Sequence, residues 1–212
     1  MADVVVPQIK ICGVTSVRDA QLVVDAGADA LGLIYASSVR QVVGDVAGDI
    51  VERYGHQLWC VGVFRHQENH EILRLVDRDR LKIVQLHDRA DVELLEALGS
   101  RGVTVIRAVS ATQPELSVHE SDAVVAVIVD SPQPGSGIAN DWSVVHSLHF
   151  EVPVLVAGGL TPDTVAGVIT ATSCWGVDVV SGVELSHGVK DPAKVTSFVA
   201  RARAALTQKG VQ

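Results

Sequence analysis

Two apolar segments in the second half of the chain each run into a turn of small residues. They read Val154-Leu-Val-Ala-Gly-Gly-Leu-Thr161 and Gly176-Val-Asp-Val-Val-Ser-Gly-Val-Glu184. Small residues let backbone N–H groups approach an anion closely, and a following helix N-terminus attracts negative charge. The candidate phosphate-binding residues in these turns are Gly158, Gly159, Ser181 and Gly182. The pattern predicts a phosphorylated small molecule as ligand.

Two residues at the ends of other apolar segments could move protons. Cys12 follows Gln8-Ile-Lys-Ile11 and lies just ahead of a predicted helix, where a thiol pKa can be lowered and the thiolate favoured. Asp130 ends the apolar run 123–129, where partial desolvation would raise the pKa of its carboxyl group and suit it to general acid catalysis. The alternatives are a small buried cysteine and an aspartate that caps the following turn.

Four further polar residues lie in or beside the same kind of segment. Lys10 shares a strand face with Cys12, because side chains two positions apart point the same way, and its buried charge needs a partner. Asp178 is either that partner or a hydrogen-bond acceptor that binds the substrate. Arg40 could hold a carboxylate through two parallel hydrogen bonds, and His87 ends an apolar segment. A solvated loop arginine and an ordinary histidine are the alternatives.

Short apolar strands that alternate with amphipathic, helix-length segments must position these residues. The spacing between strand ends averages about 24 residues, the size of a compact βα unit. An open doubly wound sheet would share this alternation, but no Gly-x-Gly-x-x-Gly motif follows the first strand. We therefore predict that residues 1–212 form a single-domain (β/α)8 TIM barrel with its active site at the carboxyl ends of the strands. The predicted strands are Gln8–Ile11, Ala30–Tyr35, Leu58–Phe64, Lys82–Leu86, Val103–Val109, Ala123–Val129, Val154–Ala157 and Gly176–Val180.

Capping residues predict where several of the helices begin. Thr15 and Ser16 precede the apolar-periodic stretch Val17–Ala26, which predicts a helix over that range. The Thr161-Pro162 pair predicts a helix with proline at its first position. The Asp191-Pro192 pair predicts the last helix, which we expect to end at about Leu206.

The composition narrows the class of partner. Hydrophobic residues make up 48% and charged residues 20% of the chain, which is typical of a soluble globular protein. A formal net charge of -8 argues against a nucleic-acid partner, and no apolar run is long enough to span a membrane. Cys12, Cys60 and Cys174 lack metal-ligand spacing and indicate a reducing, cytoplasmic location. Monomer and homodimer both stay open.

Taken together, the motifs resemble those of the phosphoribosylanthranilate isomerase family, which performs an Amadori rearrangement in tryptophan biosynthesis. The opening Lys10-Ile-Cys-Gly-Val-Thr15 and the closing 176–184 segment are the most specific, and Val84-Gln-Leu-His87 and Ala157-Gly-Gly-Leu160 agree with them. The resemblance implies that N-(5′-phosphoribosyl)anthranilate is the substrate. It also implies that no cofactor and no metal take part.

The resemblance assigns a role to each candidate. Cys12 becomes the general base and Asp130 the general acid. Arg40 would hold the anthranilate carboxylate, and His87 and Asp178 would lie in the substrate pocket.

Three loops depart from the family pattern, and three other functions stay open. The loop around Arg40 lacks the family's proline and aromatic residue, His87 is not followed by glycine, and the loop after Asp130 lacks the usual lysine-containing run. A related aminoaldose isomerase of histidine biosynthesis uses two aspartates. At the end of the first strand, where that enzyme has one of them, this chain has Cys12. A non-catalytic phosphosugar-binding barrel would not need both Cys12 and Asp130. A metal-dependent phosphosugar epimerase would need a metal-ligand set that the sequence lacks.

Overall fold

Eight parallel strands close into a barrel in chain order, β1 next to β8. The computed structural model describes residues 5–87, 91–110, 122–130 and 150–209. The closed barrel confirms the predicted fold class, and each strand bound lies within about one residue of its predicted place. The strands are β1 Ile9–Cys12, β2 Ala30–Ile34, β3 Trp59–Phe64, β4 Ile83–Leu86, β5 Thr104–Ser110, β6 Val124–Asp130, β7 Val154–Ala157 and β8 Gly176–Val179.

Helices in the described ranges pack their apolar faces against the outside of the barrel. They are α1 Val17–Asp25, α2 Val46–Tyr54, α3 Asn69–Asp79, α4 Val92–Ser100, α5 Val165–Thr172 and α6 Pro192–Lys209. Ser16 caps α1 as predicted, its side chain accepting a hydrogen bond from the backbone N–H of Asp19. Within these ranges, no helix combines the length and the apolar character that a membrane span requires.

Two helix predictions need correction. Pro162 is not the first residue of α5, which begins at Val165. The N–H of Thr161 donates to Thr164 Oγ1 at 3.0 Å, and the N–H of Thr164 donates to the Thr161 carbonyl at 3.2 Å. These bonds hold 161–164 in a turn ahead of the helix. The last helix extends past Leu206 to Lys209, whose Nζ donates to the Cys174 carbonyl at 2.7 Å.

Side-chain alternation along each strand decides which residues reach the barrel interior. In β1, Ile9 and Ile11 pack in the layer between strands and helices, whereas Cys12 belongs to the interior cluster. In β6, Ala126 and Ile128 lie in that interior cluster, so the next residue on the same face is Asp130. The period of two therefore brings both proton-transfer candidates to the inner face, each at the carboxyl end of its strand.

The segment after β8 departs from the simple βα pattern. Ser181–Val183 form a single turn of 3₁₀ helix, and an antiparallel hairpin follows, with β9 at Glu184–Ser186 and β10 at Val189–Lys190. The sequence predicts that each small-residue turn leads into a helix. After β8 that helix is only the single 3₁₀ turn, and after β7 it is α5, which begins beyond the 161–164 turn. The hairpin pairs Glu184 with Lys190 beside the mouth of the barrel.

Two of the divergent loops lie outside the described residues. Residues 88–90, which follow His87, and residues 131–149, which follow Asp130, lie outside the described ranges. The loop that carries Arg40 is described.

Candidate active site

A cavity of about 490 Å³ lies at the carboxyl ends of the strands, where the sequence predicts the active site. It is lined by Cys12, Ile34, Arg40, Val63, Arg65, Gln85, His87, Ile128, Asp130, Ala157, Gly158, Gly159, Leu160, Asp178, Val179, Val180, Ser181 and His187. The structure thus brings together every predicted site residue except Gly182. Gly182 follows the lining residue Ser181 and lies against the carbonyl of Leu160.

Cys12 is enclosed at the end of β1. It is 3% exposed, and a Cβ on its neighbour Gly32 would stand 2.5 Å from the thiol sulfur, so glycine there leaves room for the thiol. Burial raises the pKa of Cys12, and the ammonium group of Lys10 opposes that rise without cancelling it. The sequence-based prediction of a lowered pKa at this position is therefore wrong, because the loss of hydration outweighs the nearby positive charge.

Lys10 and Asp178 form an ion pair beneath the thiol. They are register partners on β1 and β8, with Lys10 Nζ 3.0 Å from Asp178 Oδ1. Burial would lower the pKa of Lys10, but the negative charge of Asp178 outweighs that effect together with the neighbouring Cys12, so the pKa is raised. Of the two roles considered for Asp178, the structure shows the one as partner of Lys10.

Asp130 ends β6 and is half-buried at the cavity wall. Its register neighbours are Ser110 on β5 and Ala157 on β7. From Asp130 the barrel order continues through β7 and β8, which carry the phosphate turns, to Cys12 on β1. A ligand held by those two turns therefore has one proton-transfer candidate on each side.

Arg40 also lines the cavity, but its side chain already has an acidic partner. Arg40 Nε donates to Glu184 Oε1 at 2.7 Å, and Nη2 donates to Oε2 at 2.8 Å. These bonds raise the pKa of Arg40. Burial alone would raise the pKa of Glu184, but the hydrogen bonds from Arg40 and the charge of Lys190 lower it. The pair stays ionised, and Glu184, which does not line the cavity, is a partner of Arg40 to which the sequence analysis gave no role.

His87 has a buried neighbour that the sequence analysis also missed. Gln85 is 2% exposed, and its Nε2 lies 2.8 Å from Nε2 of His87. With Gln85 as donor, the His87 Nε2 atom is the acceptor and carries no proton. The spacing could have identified Gln85, because residues two positions apart at the end of a strand point to the same face.

The two phosphate turns touch each other. Gly158 and Gly159 have φ values of +95° and +67°, which favour glycine. A Cβ on Gly182 would collide with the carbonyl oxygen of Leu160, so the turn after β8 packs on the turn after β7 only because that residue is glycine. Their backbone N–H groups can therefore serve one anion together.

The described residues offer no evident metal centre. Within that part of the chain, no three His, Cys, Asp or Glu side chains come together in a way that could hold a metal ion. The thiol of Cys12 and the carboxyl group of Asp130 can each exchange a proton with a ligand bound in the cavity.

Comparison with known proteins points to one family. The family model for N-(5'phosphoribosyl)anthranilate (PRA) isomerase matches residues 9–201. The N-(5'-phosphoribosyl)anthranilate isomerase of Roseiflexus castenholzii is 40% identical over an alignment of 212 positions, covering 93% of this chain and 98% of the relative.

Solved structures agree with the sequence comparison. A phosphoribosyl anthranilate isomerase in complex with reduced 1-(o-carboxyphenylamino)-1-deoxyribulose 5-phosphate has a TM-score of 0.76 and 28% identity, covering 94% of this chain and 100% of the other. Monomers of the dimeric phosphoribosylanthranilate isomerase from Thermotoga maritima have a TM-score of 0.79 and 28% identity, with coverage of 94% and 100%.

Proposed function

Because the chain belongs to the N-(5′-phosphoribosyl)anthranilate isomerase family, we propose that Cys12 and Asp130 are the acid–base pair of this isomerase. The reaction converts N-(5′-phosphoribosyl)anthranilate to 1-(2-carboxyphenylamino)-1-deoxyribulose 5-phosphate in tryptophan biosynthesis. The observation that carries the assignment is that both side chains line one cavity, on either side of the two turns that can hold a phosphate.

Asp130 acts first, as the general acid. Its proton goes to the ribose ring oxygen, the bond from that oxygen to C1 breaks, and the lone pair on the anthranilate nitrogen forms a double bond to C1. The ring has then opened to a Schiff base. A carboxyl group half-buried at the end of an apolar strand suits this step, because partial desolvation favours the protonated form.

Cys12 acts second, as the general base. Its thiolate removes the proton from C2, and the electron pair shifts to give an enolamine. C1 then gains a proton and the C2 hydroxyl loses one, which leaves the 1-amino-2-ketose. The atoms of substrate and product are the same, so the step needs no oxidant and no reductant. Lys10, buried beside the thiol, stabilises the thiolate during this transfer.

The remaining site residues bind the substrate. Backbone N–H groups of Gly158, Gly159, Ser181 and Gly182 would hold the phosphate. Arg40 would hold the anthranilate carboxylate and His87 would line the pocket beside it, while Asp178 keeps Lys10 in place.

We further propose that residues 1–212 form one catalytic domain that works in the cytoplasm. Its partner is the phosphorylated substrate rather than a nucleic acid, a membrane or a cofactor. The barrel runs from β1 to β8, which supports a single domain. Monomer and homodimer are both compatible with the fold, and one relative is a dimer.

The direct test is a fluorescence assay of the purified protein. The anthranilate adduct should be consumed at the same rate with and without a metal chelator, and Cys12→Ser should abolish the decay. A parallel assay with the phosphoribosyl aminoaldose of histidine biosynthesis should show no conversion. Turnover of that second substrate alone would overturn the proposal, as would loss of activity on chelation.

A further inference from the structure

We propose that Glu184 is the positioning residue for the Arg40 guanidinium, so that one edge of it stays free to bind the substrate carboxylate. The inference rests on the proposed function and deepens it, because it explains how an arginine on an exposed loop becomes a fixed anion site. Glu184 itself does not touch the substrate in this view.

Glu184 is held rigidly enough for this task. It is 6% exposed, and besides Arg40 its Oε1 accepts from the N–H of Gly188 at 3.3 Å and from Lys190 Nζ at 3.4 Å. Its backbone carbonyl accepts from Lys194 Nζ at 2.8 Å. The carboxylate is therefore fixed by the hairpin and by α6, independently of the Arg40 loop.

The loop orders the backbone of Arg40 but not its guanidinium. The N–H of Arg40 donates to Ser38 Oγ at 3.1 Å, whereas the flanking Val39 and Val43 are 70% and 69% exposed and give the long side chain little to pack against. The Arg40 side chain passes over Gly13, where a Cβ would stand 3.0 Å from Arg40 Cδ. Contacts made by the side chain itself, above all those with Glu184, therefore hold the guanidinium at the cavity.

The bonds to Glu184 leave part of the guanidinium for a ligand. Glu184 accepts hydrogen bonds from Arg40 Nε and from one N–H of Arg40 Nη2. Within the described part of the chain, Arg40 Nη1 donates no hydrogen bond. A guanidinium can pair with one carboxylate along its Nε–Nη2 edge and with a second along its Nη1–Nη2 edge. The side chain is 18% exposed and lines the cavity, so that second edge is accessible to substrate.

The local charge also favours a carboxylate. Arg40 and Lys190 are cations joined to one carboxylate, Glu184, so the cluster carries a net positive charge. Burial lowers the pKa of Lys190, and the negative charge of the Glu184 carboxylate opposes that change. One further carboxylate, such as that of anthranilate, would neutralise the cluster.

An opposite role for Glu184 makes an opposite prediction. Glu184 could compete with the substrate carboxylate for Arg40. The Arg40–Glu184 pair would then have to break before substrate binds. Its removal would then strengthen binding, whereas removal of a positioning residue weakens it. The sign of the change therefore separates the two roles.

The test uses two inhibitors that differ in one group. The first is reduced 1-(o-carboxyphenylamino)-1-deoxyribulose 5-phosphate, and the second is the same molecule without its carboxyl group. For Glu184→Gln and Glu184→Asp we expect the inhibition constant of the first to rise about tenfold and that of the second to stay unchanged. The KM should rise with it, and kcat should stay close to that of the unmodified enzyme. Arg40→Ala combined with Glu184→Gln should bind the first inhibitor no more weakly than Arg40→Ala alone, because Glu184 acts through Arg40.

The matched control is Asp77→Asn, which removes the acid of a surface pair with Arg101 and should change neither constant. Tighter binding of the carboxylated inhibitor to Glu184→Gln would overturn the proposal, because Glu184 would then be a competitor. Equal weakening of both inhibitors would overturn it too, because that result indicates a general structural role. If the unmodified protein binds neither inhibitor, the proposed function itself fails, which is a different outcome.

Discussion

Lys10 and Asp178 join the first and last strands of the barrel through a buried ion pair, with Nζ and Oδ1 3.0 Å apart and side chains 0% and 5% exposed. The ion pair where β1 meets β8 to close the barrel therefore also places two buried charges next to Cys12. Since Lys10 is held by Asp178 and its charge acts on the nearby thiol, closure of the barrel determines the charge that the thiol experiences.

The first prediction concerns that charge. A general base works only when deprotonated, so kcat/KM falls as the pH drops through the pKa of Cys12. Lys10 lowers that pKa, and its replacement by methionine should move the ascending limb of the pH profile to higher pH. A pH profile of kcat/KM measures the shift.

The same substitution should also destabilise the protein, because it leaves Asp178 buried without its partner, at a cost of about 3–5 kcal/mol. The double variant Lys10→Met with Asp178→Leu should regain most of that stability in urea unfolding. Its pH limb should still lie above that of the unmodified enzyme, since Lys10 influences Cys12 more than Asp178 does. A limb that does not move in either variant would show that Lys10 is structural only.

The second prediction tests the base directly. Cys12→Ser should lower kcat by about 10²- to 10⁴-fold while the variant keeps its circular dichroism spectrum and melting temperature. Cys60→Ala is the matched control, because Cys60 is equally buried but does not line the cavity. It should retain kcat. A Cys12→Ser variant with unchanged kcat would remove this residue from the mechanism.

A third prediction tests whether Asp130 is the general acid or a group that only binds substrate. The Asp130→Asn substitution keeps the size of the side chain and removes the proton that starts ring opening, so kcat should fall by about 10²- to 10⁴-fold with KM nearly unchanged. Steady-state kinetics give both constants. If KM rose and kcat stayed the same, Asp130 would bind substrate and the acid would have to be another residue.

The fourth prediction concerns the phosphate turns. Inorganic phosphate should compete with substrate, because the two touching turns present N–H groups to one anion. Gly182→Ala should weaken that inhibition and lower kcat/KM by about 10- to 100-fold, since its methyl group collides with the Leu160 carbonyl and separates the turns.

The control for this pair is Gly167→Ala on α5, where an added Cβ meets nothing within 4 Å. It should leave kinetics and phosphate inhibition unchanged. Phosphate that fails to compete with substrate in the unmodified enzyme would refute the two-turn anion site.

The strands and their inward residues were predictable because their signals are local. A run such as 123–129 is apolar throughout, which is typical of a strand buried on both faces, and it shows where Asp130 must fall. The side-chain period of two then places Lys10 and Cys12 on one face. Helix starts were less predictable, since hydroxyl side chains such as Thr161 can close a turn as readily as they cap a helix.

By itself, the sequence determined the βα alternation, the eight strands and the residue types at their carboxyl ends, because strand propensity and apolar periodicity act over neighbouring residues. Only the tertiary structure decided that Arg40 pairs with Glu184, 144 positions away, since the loop after β2 meets the hairpin after β8 when the barrel closes. It also decided that the pKa of Cys12 rises rather than falls. The Cys12 thiol loses its hydration only when the surrounding strands have assembled, and the residues near it in the sequence do not predict that loss.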